Sequence, residues 1–236
     1  AFWLVGGFNY LDELVRGWGF PSIVNGLLYF AVLMFAYTLL TLPFSIYATF
    51  VIEERFGFNK TGPRTFVLDR VKLVALAVVL GGPLLAAVLA FFEYAGDLAW
   101  LYGWAAVTLF SLVMAFVFPT WIMPIFNKFN PMEQGELKDA ILGYARSVDF
   151  KVQNIFVMDG SKRSSKANAF FSGFGRNKRI ALFDTLVEKH TVTELVAVLA
   201  HEIGHYKMKH VHQGMALSIA QMGIILFLLS FFLENE

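Results

Sequence analysis

Thr191-Val192-Thr193-Glu194-Leu195-Val196-Ala197-Val198-Leu199-Ala200-His201-Glu202-Ile203-Gly204-His205 opens with a T-x-x-E capping box and closes with H-E-x-x-H. Thr191 and Glu194 are placed to satisfy each other's backbone amides. The apolar positions Leu195, Val196, Val198, Leu199 and Ile203 then follow at helical spacing. This pattern predicts a helix with the motif in its middle. At about 100° per residue, positions i and i+4 stack on one face, so His201 and His205 are both aimed at a single Zn2+. Glu202 lies beside them, placed to take a proton from an attacking water. The competing interpretation is a pair of solvated histidines and a surface carboxylate.

Composition sets the environment of this helix. Apolar residues make up 57% of the chain and charged residues 16%, against about 25% charged in ordinary soluble domains. Too few charges exist to cover a water-facing surface, so a membrane protein is expected. Four stretches reach the roughly 20 apolar residues that a bilayer crossing requires: 26–52, 71–95, 98–126 and 214–233. Pro43, Pro83 and Pro119 fall within the first three and predict kinks or a widened cavity. The expected fold class is mostly α: a polytopic helical membrane protein with a small α+β zinc-metalloprotease domain on the cytoplasmic side. Its expected organisation is a remnant of an N-terminal segment at 1–25 and three transmembrane helices at 26–126, with a basic loop at 53–70. A metalloprotease domain at 127–212 and a further transmembrane helix at 213–236 complete it.

Of the nineteen Lys and Arg residues, thirteen lie between Asn127 and His212, and Arg55, Lys60, Arg64, Arg70 and Lys72 cluster after the first span. Two crossings separate these regions, so they share a side, which the positive-inside rule makes the cytoplasm. A basic face beside a bilayer is explained by anionic lipid, and no nucleic-acid partner is implied. The chain has no cysteine, so zinc would be held by histidine and carboxylate. It begins at Ala1 without methionine and stops just after a span, so further chain at both ends is expected.

Only 127–212 carries soluble-domain patterning. Leu137, Ile141, Leu142, Ala145 and Val148 predict an amphipathic helix. Val152 to Met158 reads as a strand ending at Asp159-Gly160. The basic run 162–166 reads as a solvated or lipid-facing loop. Segments 167–174 and 179–184 read as a β-hairpin about the turn Gly175-Arg176-Asn177-Lys178. An exposed strand edge beside the metal helix suits capture of an extended peptide.

Several blocks together resemble the type I CAAX prenyl proteases, integral-membrane zinc endopeptidases that also mature a-factor. These are Glu53-Glu54-Arg55-Phe56-Gly57-Phe58-Asn59-Lys60, Pro124-Ile125-Phe126-Asn127-Lys128-Phe129, Ser164-Ser165-Lys166-Ala167-Asn168-Ala169-Phe170-Phe171-Ser172-Gly173, and the metal helix through Lys209-His210. The resemblance implies that His201 and His205 are zinc ligands and Glu202 the general base. It implies that Asn168, Ala169, Phe170 and Phe171 lie on the substrate-binding strand, and that the substrate is a peptide or a prenylated protein C-terminus. Two departures stand out: Lys166 occupies the place of a family histidine, and the family's third zinc ligand is a glutamate on a helix expected beyond residue 236. Nothing nearby replaces that glutamate. Glu194 lies about 10 Å from His201 along a helix axis, His212 is similarly distant from His205, and His210 points to the far side of a continuous helix. His190 reads as an exposed residue before the cap.

An HtpX-like quality-control metalloprotease, a site-two-type intramembrane protease and a non-catalytic lipopeptide-binding membrane protein are the alternative readings. The expected location is a bacterial inner membrane, or the endoplasmic reticulum if the source is eukaryotic, with the active site on the cytoplasmic side.

Overall fold

Long apolar runs in hydrocarbon must close their main-chain hydrogen bonds internally, and helices do so. The computed structural model describes residues 2–152, 154–172 and 179–234. Its helices are α1 Gly7–Arg16, α2 Ser22–Tyr47, α3 Pro63–Leu76, α4 Gly82–Tyr94, α5 Ala99–Val117, α6 Met123–Phe126, α7 Glu136–Ser147, α8 Asp184–Lys189, α9 Val192–Lys207 and α10 His210–Glu234. Wide π turns occupy Ala48–Glu53, Ala77–Gly81 and Phe118–Ile122. They give continuous helical stretches of Ser22–Glu53, Pro63–Tyr94 and Gly96–Phe126. Together with His210–Leu233, these are four helices long and apolar enough to cross a membrane among the described residues. Pro43 lies inside α2, Pro119 lies within the wide turn Phe118–Ile122, and Pro83 follows the wide turn Ala77–Gly81. Pro83 has no N–H to return to the Val79 carbonyl, and the preceding wide turn absorbs the mismatch.

The chain forms two compact units. The first comprises Ala1–Val51, Arg70–Phe110 and Gln221–Glu236. Here α2 approaches α4 at Gly26, where an added Cβ would fall 2.8 Å from the Leu89 Cδ1. Close approach at small residues is the usual basis of helix packing in lipid, where burial of apolar surface supplies no drive. Trp100 and Phe227 meet edge to face at 5.2 Å in the same unit.

The second unit, Ile52–Asp69 with Ser111–Ala220, contains a four-stranded sheet. Its strands are β1 Phe129–Pro131, β2 Asn154–Met158, β3 Ala169–Ser172 and β4 Arg179–Phe183, in the order β1-β2-β4-β3. β1 runs antiparallel to β2, β2 parallel to β4, and β3 antiparallel to β4. The hairpin strands therefore pair as expected, while the turn expected at 175–178 lies outside the described residues. β1 is an addition: three residues ending in proline carry no strand pattern, and pairing with β2 creates the strand. The core lies where α7 and α9 meet the sheet, centred on Ile141, Ile180, Leu182, Leu195 and Leu199, each 1% exposed or less. A second cluster of Ala145, Phe150 and Ile203 continues it toward the end of α9.

Candidate metal centre

Helix α9 begins where Thr191 accepts a hydrogen bond from the Glu194 amide and the Glu194 carboxylate accepts from the Thr191 amide at 2.8 Å, so the capping box is complete. The Thr191 amide and hydroxyl hold the Glu194 carboxyl below the usual carboxylate range. Glu194 is thereby occupied at the opposite end of the helix from the motif. Leu195, Leu199 and Ile203, spaced by four and 1 to 2% exposed, form the stripe that seats the helix. Two residues beyond Leu199 and Ile203 is about 200° of rotation, so the same stripe turns His201 and His205 away from the core. Both are exposed.

Their rings meet at 4.6 Å between centroids, and the two Nε2 atoms stand 2.9 Å apart. Two nitrogens on one tetrahedral zinc, each at about 2.0–2.1 Å, stand about 3.3 Å apart. A small opening of the pair therefore admits the ion, and the donor set fits zinc. Glu202, half-buried, has no hydrogen-bond partner among the described residues. No group of three His, Asp or Glu is arranged to hold an ion among the described residues.

The motif sits in the last two turns of α9 rather than in its middle, and this changes the place of His210. After Lys207 the helix stops, Lys209 adopts φ 58°, and α10 restarts at His210. A continuous helix would carry His210 to the far side, as expected from spacing. The break instead brings its Nδ1 to 2.6 Å from the Nδ1 of His205. No glycine or proline marks the break, so residue spacing alone does not reveal it. His190 is also less exposed than expected: it is half-buried, with Nδ1 3.0 Å from the Leu186 carbonyl oxygen.

Among the described residues, strand β3 is an edge of the sheet and pairs with β4. The Phe183 amide donates to the Asn168 carbonyl at 3.0 Å. By the alternation of an antiparallel ladder, the amides and carbonyls of Ala169 and Phe171 then face the free edge. The Ala169 amide donates to the Asn168 Oδ1 at 2.9 Å. The side chains behave differently: Ala169 is buried, and Phe171 meets Phe150 at 5.3 Å, which meets Tyr206 of α9 at 5.1 Å. Phe170 points to the opposite face, with Phe183 at 6.4 Å. Of the four residues expected on the substrate strand, Asn168 is exposed, and Ala169 and Phe171 offer main chain rather than side chain.

The basic run before β3, expected to be a solvated or lipid-facing loop, keeps Lys162 and Lys166 exposed but is tied down by specific bonds. Arg163 grips Asp69 through Nε at 2.7 Å and Nη2 at 2.9 Å, and also donates to Asn127 Oδ1 and the Phe126 carbonyl. Ser165 donates from its amide to the Phe58 carbonyl and from its hydroxyl to the Gly57 carbonyl. Lys166 pairs with Glu53 at 2.7 Å and lies over the Phe58 ring. The segment around Glu53 to Asp69 is thus stitched to the residues that lead into β3.

Comparison with known proteins places this arrangement. A family model described as CAAX prenyl protease N-terminal, five membrane helices, matches residues 1–128, and that of Peptidase family M48 matches 131–236. The chain is 37% identical over 238 residues to the probable CAAX prenyl protease 1 of Schizosaccharomyces pombe, covering 99% of this chain and 50% of that protein. It is 43% identical over 192 residues to CAAX prenyl protease 1 of Saccharomyces cerevisiae, covering 80% and 42%. The crystal structure of S. mikatae Ste24p superposes with a TM-score of 0.92 at 36% identity, over 100% of this chain and 56% of that one. The chain spans about half the length of the curated relatives it matches.

Proposed function

Because the chain belongs to the CAAX prenyl protease 1 family of M48 metallopeptidases, an integral, multi-pass membrane family, we propose that it forms the zinc-binding and substrate-binding half of a membrane endopeptidase. The substrate is a peptide or prenylated protein C-terminus of the CAAX type. The reading is supported above all by the convergence of the His201 and His205 Nε2 atoms, 2.9 Å apart, beside Glu202. These two histidines are the zinc ligands. The third ligand, a glutamate from chain beyond residue 236, completes the three protein ligands typical of a catalytic site.

Zinc, when bound, activates water and polarises the scissile carbonyl. Glu202 accepts the proton of the attacking water and returns it to the leaving amine. The outward amide and carbonyl of Phe171, with the Asn168 side chain at the same edge, bind the substrate main chain as an added strand. A lipidated tail concentrates in the bilayer and presents its peptide at the surface, which suits a chain with four helices long and apolar enough to cross a membrane among its described residues. The excess of Lys and Arg after the first span and in 127–212 supports a cytoplasmic side for that site, and the location proposed is a bacterial inner membrane or, for a eukaryotic source, the endoplasmic reticulum.

The test is hydrolysis of a farnesylated C-a-a-X peptide by the full-length protein in proteoliposomes. Glu202→Gln is expected to lower kcat by about 10²- to 10⁴-fold, the usual worth of a positioned general base, with zinc retained. Equal rates for variant and parent overturn the assignment.

A further inference from the structure

We infer that His210 is a positioning residue for the metal centre: it accepts a hydrogen bond from Nδ1 of His205 and so fixes the tautomer that presents Nε2 to the ion. The inference rests on the reading of His201 and His205 as the ligand pair. A neutral imidazole carries one proton, so Nε2 is a ligand only while that proton sits on Nδ1, which then needs an acceptor. Metal-binding histidines nearly always find one in a carboxylate, a backbone carbonyl or water. In this chain the atom against His205 Nδ1 is the Nδ1 of His210, 2.6 Å away, with the rings at 4.9 Å and inclined by 62°. With its own proton on Nε2, His210 is an acceptor at that atom.

His210 is not itself a third ligand in this arrangement. It meets Nδ1 of His205, whose in-plane bonding direction diverges from that of Nε2, the atom facing His201, and the three histidines form no group arranged to hold an ion among the described residues. An ion between the two Nε2 atoms is out of its reach.

The local backbone is built to place it. Along an unbroken helix, five residues from His205 is about 500°, or 140° around the axis, which separates the rings. The break at Met208 and Lys209 removes that rotation. It is held by hydrogen bonds from the Met208 amide to the Gly204 carbonyl and from the Lys209 amide to the Tyr206 carbonyl. Lys209 sits at φ 58° without being glycine, a conformation that L-residues avoid and that persists where surrounding structure enforces it.

The experiment is zinc affinity of the full-length protein, measured by competition with a chromophoric chelator, with the cobalt-substituted visible spectrum as a second readout. His210→Ala is expected to weaken zinc binding about 10- to 100-fold, the usual effect of removing such a partner. The cobalt spectrum keeps its band positions, because no ligand is lost, and the thermal midpoint of the zinc-free protein is unchanged. His210→Asn, whose Oδ1 replaces the accepting nitrogen, restores affinity to within a few-fold, whereas His210→Phe behaves like alanine. Lys209→Gly, which keeps the left-handed turn, binds zinc as the parent does. Parent-like affinity in His210→Ala, or failure of asparagine to do better than phenylalanine, overturns the inference alone. Parent-like affinity in His205→Ala overturns the ligand assignment, and the inference with it.

Discussion

Replacing Arg163 with alanine removes a guanidinium that makes two hydrogen bonds to Asp69 and one each to Asn127 Oδ1 and the Phe126 carbonyl. The two charged side chains are 24% and 18% exposed, so solvent screens the pair only partly. Removing one partner of a buried pair costs about 3–5 kcal/mol, because the other charge is stranded. With this partial exposure the lower end applies, and we expect about 3 kcal/mol. At about 2–4 °C per kcal/mol for a protein of this size, the thermal midpoint in detergent falls by about 6–12 °C. Arg163→Lys keeps the charge but loses the planar fork, and should recover no more than about half of that loss. The double-mutant cycle with Asp69→Ala isolates the pair, with an expected coupling of about 2 kcal/mol, within the range for residues in direct contact. Additive single effects, within about 0.5 kcal/mol, would show that the contact stabilises nothing and that 163–166 is held by its other bonds.

Two further variants probe the metal helix. Leu199→Ala empties a position 1% exposed beneath the motif and should cost about 2–5 kcal/mol by thermal unfolding; a loss under about 1 kcal/mol would mean that the stripe does not seat α9. At the other end, Thr191→Ala should cost about 1 kcal/mol by loss of the cap. The Glu194 carboxyl is held below its ordinary range in the folded state by the Thr191 amide and hydroxyl, so folding favours the ionised form. That contribution is complete above the unfolded-state pKa and disappears as pH falls through the folded-state value. The gap in midpoint between parent and Glu194→Gln should therefore be constant near neutrality and shrink on acidification. A gap that widens in acid contradicts the cap.

Much of this arrangement was legible in residue spacing, because the causes are local. The capping box, the Leu195-Leu199-Ile203 stripe and the apolar runs act within a few residues of one another, and the structure reproduces each as α9 and the long helices. The hairpin β3–β4 was legible for the same reason. What escaped is long-range or unsignalled. The parallel pairing of β2 with β4 and the three-residue β1 exist only through their partners. The Arg163–Asp69 pair joins positions 94 apart, so a basic run read by itself showed its exposure but not the bonds that tie it down. The stop after Lys207 carries no glycine or proline, and its cause lies in the positive φ of Lys209.

These long-range features converge on one consequence for the site. Strand β3 has two kinds of surface: the Phe171 side chain, committed through Phe150 to Tyr206, and the Phe171 amide and carbonyl, which face away from β4. Tyr206 is the neighbour of His205 on α9, so the aromatic contacts link the strand proposed to hold the peptide to the helix proposed to hold the ion. The stitched segment ahead of β3 fixes the same strand from its other end through Ser165 and Lys166. Peptide hydrolysis needs the scissile carbonyl held against the ion within a fraction of an ångström, and such precision comes from rigid elements rather than loops. An edge strand tied at one end to the metal helix and at the other to an adjoining folded segment meets that demand.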